Sequence, residues 1–445
     1  MYRFPEGLYT DVRVEEFFES SIKFSMGQLE DCIERSYSAA FIRIFDGNRW
    51  YYAATTETGA VQSEIDNLAV MTSPTAHIDD HPVVQLFEHH QGAFRKFEEN
   101  NLSKISVRRK LDLLKGYFPT VEANKFITSW AALYLDCATV KKLYSSKGTN
   151  LVFDSQQCGF MVSFIMADGK KTFSESYKQA ASNFDDLPGG TDELDRKIVS
   201  CQDFMLQAEP VEPGIYPVIL SPLAAGVFAH ESFGHKSEAD FMIGDETMKK
   251  EWAIGTRVGA SLLTIVDDGS LEGSGYCPFD DEGTRARKTK LVENGILAGR
   301  LHSCQTAADL DEEPTGNARA ISFEFQPIVR MSTTYIEPGT LTRDQLFAGV
   351  EDGYFIDTLS YGSGMSTFTI APLLAYRIRN GRIAEPVKIS VISGTVFETL
   401  GEIDGLSDRL EIQSFVGGGC GKMEQNPLPV GFGGPYVRIR KMNVQ

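Results

Sequence analysis

The sequence predicts an α+β protein, with a mixed helix-and-strand N-terminal region followed by a β-rich C-terminal domain that carries one buried helix. Three observations carry that expectation. Runs rich in β-branched and aromatic residues recur along the chain, set off by Gly, Asp and Asn at turn positions. Helical spacing is confined to a few separate stretches. A proline-rich stretch, Glu209-Pro210-Val211-Glu212-Pro213-Gly214, reads as a linker between the two regions. At 445 residues the chain has room for two or three domains, expected at 1–100, 101–208 and 214–445.

Phe41 to Thr55 holds two strand-like runs joined by Asp46-Gly47-Asn48, a hairpin signal. A helix is expected near Gly59 to Met71, and the polar stretch from Ile78 to Asn101 reads as a surface connection. Val107 to Gly116 reads as a helix. Phe126 to Phe173 is rich in strand formers, with turns at Ser146-Lys147-Gly148 and Asp168-Gly169. Gly169-Lys170-Lys171-Thr172 resembles the end of a phosphate loop but lacks the earlier glycine, so a hairpin turn is the better reading. Thr191 to Gln207 is expected to be a helix capped at Thr191, with Glu193 soon after. Ile215 to Leu220 is a short apolar strand. Ser221-Pro222 then supplies a capping hydroxyl and a first-turn proline for the helix that follows.

Composition narrows the function. A net charge of -18 argues against direct binding to nucleic acid. The apolar run Leu223 to Ala229 is too short to cross a bilayer, so no membrane role is expected. Met1 to Val14 lacks the cationic start and apolar core of a signal peptide. Seven cysteines show no paired framework, which fits a cytoplasmic protein.

The chemistry concentrates in His230-Glu231-Ser232-Phe233-Gly234-His235. Two imidazoles suit Zn²⁺ and related metals, and the carboxylate beside the first can take a proton from an activated water. The bland reading is a buried helix whose histidines only satisfy hydrogen bonds. The histidines stand five apart rather than the four of the common zinc-protease motif. A regular helix would turn the second about 140° away from the first. One metal can reach both only if the helix is widened, kinked or ended there, and Gly234 is expected to ease that distortion.

A catalytic zinc usually takes three protein ligands and keeps one position open. Glu238, Asp240, Cys277, His302, Cys304 and Cys420 are candidates for the third. Cys277 and Cys304 also read as ordinary small core residues. Cys420 lies in Gly417-Gly418-Gly419-Cys420-Gly421-Lys422, where Lys422 would help hold a thiolate. Spacing alone leaves Cys420 and His302 close to level. His77 and His81 fit a loop or helix end better than a site, and His89-His90 point to different faces. Pro314 to Arg319 reads as a turn that would also serve to bind peptide through Asn317 or Arg319.

With these motifs in hand, the chain resembles the TldD/PmbA metalloproteases. The resemblance is densest from Gly214 onward. It rests on the His230–His235 motif with Glu238 and Asp240-Phe241, on Ile265-Val266-Asp267-Asp268-Gly269, and on Asp280-Asp281-Glu282-Gly283. Glu293-Asn294-Gly295-Ile296-Leu297, Pro314-Thr315-Gly316-Asn317, Arg330-Met331 and Cys420-Gly421-Lys422 follow in the same order. The resemblance implies that His230, His235 and Cys420 bind Zn²⁺ and that Glu231 is the catalytic base. Gly418 and Gly419, with Asn317 and Arg319, would contact substrate. It further implies hydrolysis of unfolded or flexible peptides, by a homodimer or by a heterodimer with a related chain lacking the histidine motif. Fe²⁺ in place of zinc, a non-peptidase amide hydrolase, and a scaffold with a structural metal are the alternatives. Met423-Glu424-Gln425 departs from the usual Gly-Gln at that point.

Overall fold

In the computed structural model, which describes residues 2–445, the chain opens on a long hairpin of β1 (Tyr9–Ser25) and β2 (Gln28–Phe45). Asp46 then accepts from the backbone N–H groups of Asn48 and Arg49 and turns the chain into β3 (Trp50–Thr55). The helix expected near Gly59 to Met71 is α1 (Val61–Ala69), which buries Val61, Ile65 and Leu68 along one stripe. The polar connection after it contains β4 (Gln91–Phe94). Beyond a short helix at Pro82–Leu86, α2 (Val107–Lys115) covers one face of β5 (Ile127–Ser145). In β5 buried positions alternate with half-buried ones at period two, the mark of a strand covered on one face and partly on the other. β6 (Asn150–Asp168) and β7 (Lys171–Ala181) follow, and Gly169 at φ +59° makes the turn between them. All seven strands form one sheet, ordered β3-β2-β1-β5-β6-β4 with β7 also on β6. The position expected to divide two domains, near residue 100, lies inside the run of strands that builds this sheet.

Helix α3 (Asp192–Gln207) closes the N-terminal region. The expected cap does not form: Thr191 makes no side-chain capping bond. Glu193 instead accepts from the Tyr177 hydroxyl and the Gln179 amide across on β7.

The C-terminal region is β-rich, as expected, and its strands enclose one apolar helix. β8 (Gly214–Leu220) leads into α4 (Pro222–Ala229). Ser221 Oγ accepts from Ala224 N–H at 3.2 Å, which fixes the helix start. It also donates to the Asp357 carbonyl at 2.7 Å and so ties the helix to a neighbouring strand. Around α4 lie β9 (Ile265–Asp268), β10 (Thr333–Ile336), β11 (Asp352–Gly364) and β12 (Thr367–Arg379). Near the end of the chain come β13 (Cys420–Lys422), β14 (Gln425–Leu428), β15 (Gly431–Gly434) and β16 (Val437–Val444). A Cβ on Gly226 would sit 2.5 Å from Gly433 N, so only glycine lets α4 lie directly against β15.

The two regions meet along a buried network of charges. Arg13 on β1 pairs with Glu15 at 2.9 Å and with Asp281 at 3.5 Å. Lys141 on β5 reaches Asp281 at 2.6 Å. Arg43 on β2 binds Asp11 at 2.8 Å and Glu282 at 2.9 Å. The Asp280–Gly283 corner, a sequence feature with no evident role of its own, is thus the joint between the regions. Among the described residues, no helix is long and apolar enough to cross a membrane.

Candidate metal centre

Immediately after α4 the helix widens into one π-turn, His230–Gly234, and then tightens into a 3-10 turn, His235–Ser237. This is the distortion that the five-residue spacing demands. It brings the two imidazole rings to a centroid distance of 5.1 Å. Gly234 has a different part in it from the one expected. Its φ and ψ are ordinary helical values, -57° and -52°. The position is closed to side chains because a Cβ there would lie 2.1 Å from Met331 Sδ. The glycine supplies room, not backbone freedom.

Cys420, on β13, completes the cluster. Candidate ligand atoms of His230, His235 and Cys420 all lie within 4.8 Å of one another. Cys420 Sγ stands 3.5 Å from His235 Nε2. Both His230 and Cys420 are buried. Burial disfavours the thiolate, but hydrogen bonding and charge from the His230 and His235 imidazoles outweigh it and hold the thiol down at about 5. Burial likewise opposes a charged His235, yet Cys420 and Glu238 push its imidazole up to about 10. Without a metal, the pair is a thiolate facing an imidazolium.

Behind the cluster stands a second set of charges. His235 Nδ1 lies 3.3 Å from Glu238 Oε2. Glu238 is fully buried and also receives Met331 N–H at 3.3 Å and Lys422 Nζ at 3.1 Å. Burial would raise the Glu238 carboxyl, but His235 and Lys422 hold it below its ordinary value. Lys422 is not the thiolate's partner. Its ammonium binds Asp240 at 2.6 and 2.8 Å and the Val329 carbonyl at 2.9 Å, and the imidazoles take over the expected task. A carboxylate behind a metal-binding histidine fixes its ring and raises its basicity. Glu238, three residues past the motif, is therefore a partner of His235 rather than a member of the three-donor cluster.

Glu231 lines a cavity of about 640 Å³ that opens beside the cluster. His230, Leu223, Val227, Gly418 and Phe432 line it from the C-terminal region, and Met161, Tyr177 and Glu193 line it from the N-terminal region. Burial raises the Glu231 carboxyl, and the two histidines only partly offset the rise. Gly418 has open space where a Cβ would point, and Gly419 is pressed to 2.2 Å from the Leu428 carbonyl by the same criterion.

The other candidates lie elsewhere. The His302 ring faces Thr306 at 3.2 Å and Glu312 at 2.9 Å, a satisfied buried histidine. Cys277 donates to the Phe279 carbonyl at 3.1 Å, and Cys304 packs beside Thr284. His81 caps a short helix, His90 pairs with Glu88, and His89 meets the Gly148 carbonyl. Asn317 does not face the cavity by the cluster. Its amide donates to Asp267 at 2.9 Å and to the Arg330 carbonyl at 3.0 Å. Arg319 donates to the Met331 and Pro429 carbonyls at 2.6 and 2.9 Å. Both hold neighbouring backbone in place, which accounts for their burial without a ligand. The cavity walls from the N-terminal sheet and β11 carry no motif that a linear reading can single out.

A family model described as the PmbA/TldA metallopeptidase C-terminal domain matches residues 213–445, and one described as domain 1 of the same metallopeptidases matches residues 10–71. A metalloprotease of Methanothermobacter thermautotrophicus is 30% identical over 446 residues, covering 98% of this chain and 95% of its own. A zinc metalloprotease TldD homolog of Saccharolobus solfataricus is 28% identical over 449 residues, covering 98% of this chain and 96% of its own. TldE of Thermococcus kodakarensis shares the fold at a TM-score of 0.77 and 17% identity, covering 98% of this chain and 96% of its own. Fold, motif order and full-length similarity converge, and the chain belongs to the PmbA/TldD family of metallopeptidases.

Proposed function

We propose that the protein is a zinc-dependent peptidase acting on unfolded or flexible peptides, with His230, His235 and Cys420 as metal ligands and Glu231 as general base. The observation that carries this reading is the convergence of three soft and borderline donors within 4.8 Å, beside a cavity that Glu231 lines. The donor set fits the ion. His230 Nδ1 is buried with no hydrogen-bond partner in the protein, and the thiol is already held as a thiolate. Two imidazoles and a thiolate suit Zn²⁺, and the name of the S. solfataricus relative points the same way.

Zinc bound there would supply Lewis acidity to a scissile carbonyl and acidity to a water. The chain's own residues do the rest. Glu231 takes a proton from water and returns it to the leaving amine, and its raised carboxyl suits that exchange. His235 is held in orientation by Glu238. β11 offers a place for the peptide backbone. It pairs with β8 only from Tyr354 to Ile356, and beyond that only with β12. Thr358 to Gly362 then line the cavity, leaving an open strand edge beside Glu231. An extended peptide added to that edge would be held by main-chain bonds with broad sequence tolerance. A purely structural metal site would have no use for Glu231 at the cavity wall. All seven cysteines are free, and a working Cys420 thiol calls for a reducing compartment such as the cytoplasm.

Metal analysis joined to a peptide-degradation assay tests the reading. Glu231→Gln is expected to keep its zinc and lose at least about 100-fold in hydrolysis. Full activity in the zinc-loaded variant would assign water activation to another group. A zinc-loaded wild type that leaves unfolded peptides intact would favour a structural metal.

A further inference from the structure

The cavity that Glu231 lines has a neighbour on the same face of the N-terminal sheet. This second hollow has a volume of about 370 Å³. Its floor includes Ile33 on β2, Ser21 on β1 and Leu135 on β5. These are direct cross-strand partners, so they share one face of the sheet. Leu135 is paired in turn with Gly159 on β6. Two residues along the same two strands, Leu133 and Met161 line the cavity that holds Glu231. At about 3.4 Å per residue, the two floors lie only about 7 Å apart.

The divider between them is the segment that leads into Cys420. Val416 and Gly417 line both spaces. The Val416 methyls sit on Gly159: a Cβ there would lie 2.9 Å from both Cγ1 and Cγ2, inside the comfortable contact of about 3.5–4 Å. Val416 thus fills the place that a side chain on β6 would otherwise take. A Cβ on Gly417 would lie 3.0 Å from Leu135 Cδ1, so the backbone of the segment comes down on the same row. Upstream, Phe415 N–H donates to Ser274 Oγ at 2.9 Å and fixes that end. Downstream come Gly417, Gly418 and Gly419, so Val416 carries the only side chain in Val416–Gly419 that can hold the segment on the sheet.

The space behind the divider suits more of the same occupant. From Gly159 to Ile33 the row crosses three gaps between strands, about 14 Å at about 4.8 Å each, which is the length of about four extended residues. A peptide lying in the cavity and growing in this direction meets Val416 first.

We propose that Val416 is a specificity-determining residue: seated on Gly159, it ends the substrate cavity on the side of β2 and limits how many residues of a peptide the site holds beyond Glu231. The occupant's identity rests on the peptidase reading. Calorimetric affinity for unstructured peptides of increasing length, extended at either end, tests it in zinc-loaded Glu231→Gln, where turnover is suppressed. Affinity should rise with length and level off once the cavity is full. In one of the two series, adding Val416→Ala should move the levelling-off point about four residues further. The active enzyme carrying Val416→Ala should release correspondingly longer fragments. Val416→Ile keeps a branched side chain on Gly159 and should keep the wild-type limit. Ser21→Trp fills the second hollow and should restore that limit in the Val416→Ala protein. Val416 and Ser21 are half-buried, so the variants keep the fold, which thermal unfolding checks on the same samples. An unchanged limit in Val416→Ala overturns the proposal. So does an equal shift in Val416→Ile, or a limit that Ser21→Trp does not restore. A shifted limit in a protein that cleaves no peptide would uphold the divider and sink the peptidase reading, and a zinc-loaded protein that binds no peptide of any length would sink both.

Discussion

Gly234→Ala is expected to destabilise the protein although the position is helical. In an ordinary helix the change would stabilise by up to about 1 kcal/mol. Here the new Cβ would lie 2.1 Å from Met331 Sδ, where comfortable contact is about 3.5–4 Å. The two groups must part by about 1.5 Å or more. Sδ is the middle of a side chain that is wholly buried, not a free end. Met331 is also held through its backbone, which donates to Glu238 at 3.3 Å and accepts from Arg319 at 2.6 Å. Overpacking of this kind costs about 1–3 kcal/mol, enough to cancel the helical gain. Movement of Met331 would pull on Glu238 and so on His235, and zinc content should fall as well. Thermal unfolding and zinc stoichiometry on Gly234→Ala, Met331→Ala and the double variant separate the effects. Met331→Ala clears the clash, so the double variant should recover at least about 1 kcal/mol relative to the sum of the single changes. An alanine variant as stable as wild type, or strictly additive losses, would refute the packing account.

Three further outcomes follow from the same geometry. Glu238→Gln should weaken zinc binding about 10–100-fold by loosening His235, as read by competition with a chelator; unchanged affinity would mean that the carboxylate does not support the ligand. In metal-free protein, thiolate absorbance of Cys420 should persist as pH falls and be lost around pH 5, far below the ordinary thiol range. The folded thiol lies below its unfolded value, so its stabilising effect is present at high pH and fades on acidification toward about 5, whereas that of His235, raised to about 10, is full in acid and fades as pH climbs to that value; a thiol titrating near 9 would contradict the pairing. Asn317→Ala should cost about 1–3 kcal/mol by stripping a partner from buried Asp267, while KM for peptide stays put; a raised KM would return Asn317 to the substrate site.

The distortion at His230–Gly234 was within reach of sequence because helical geometry makes it unavoidable if both histidines serve one ion. Cys420 was less legible. It lies 185 positions beyond His235, and only its glycine frame sets it apart from His302, whose burial and hydrogen bonds cannot be read from spacing. Lys422 shows the limit of arguing from neighbours in sequence: its partners, Glu238 and Asp240, arrive from the other side of the centre. The opening hairpin has little apolar alternation over Gln28–Ser38, because that part of β2 is exposed. Its strand character comes from backbone pairing with β1, which no local pattern encodes. The cavity walls are illegible for a similar reason, since they join residues from both regions of the chain.

The charged joint at Asp280–Gly283 bears on how such a protein can be rearranged in evolution. Every proposed zinc donor lies after residue 214, so the C-terminal region looks like a transferable cassette. It is not self-sufficient. Asp281 and Glu282 draw their countercharges from Arg13, Arg43 and Lys141 on β1, β2 and β5. Removing one partner from a buried ion pair costs about 3–5 kcal/mol, comparable with a large share of a fold's whole margin. A recombination that kept the metal-bearing half but exchanged the sheet would have to bring those three cations with it, at the same positions. Side chains facing the cavity other than His230 and Glu231 are free of that constraint, so diversification of this architecture should run through the rest of the walls and leave the seam between its halves alone.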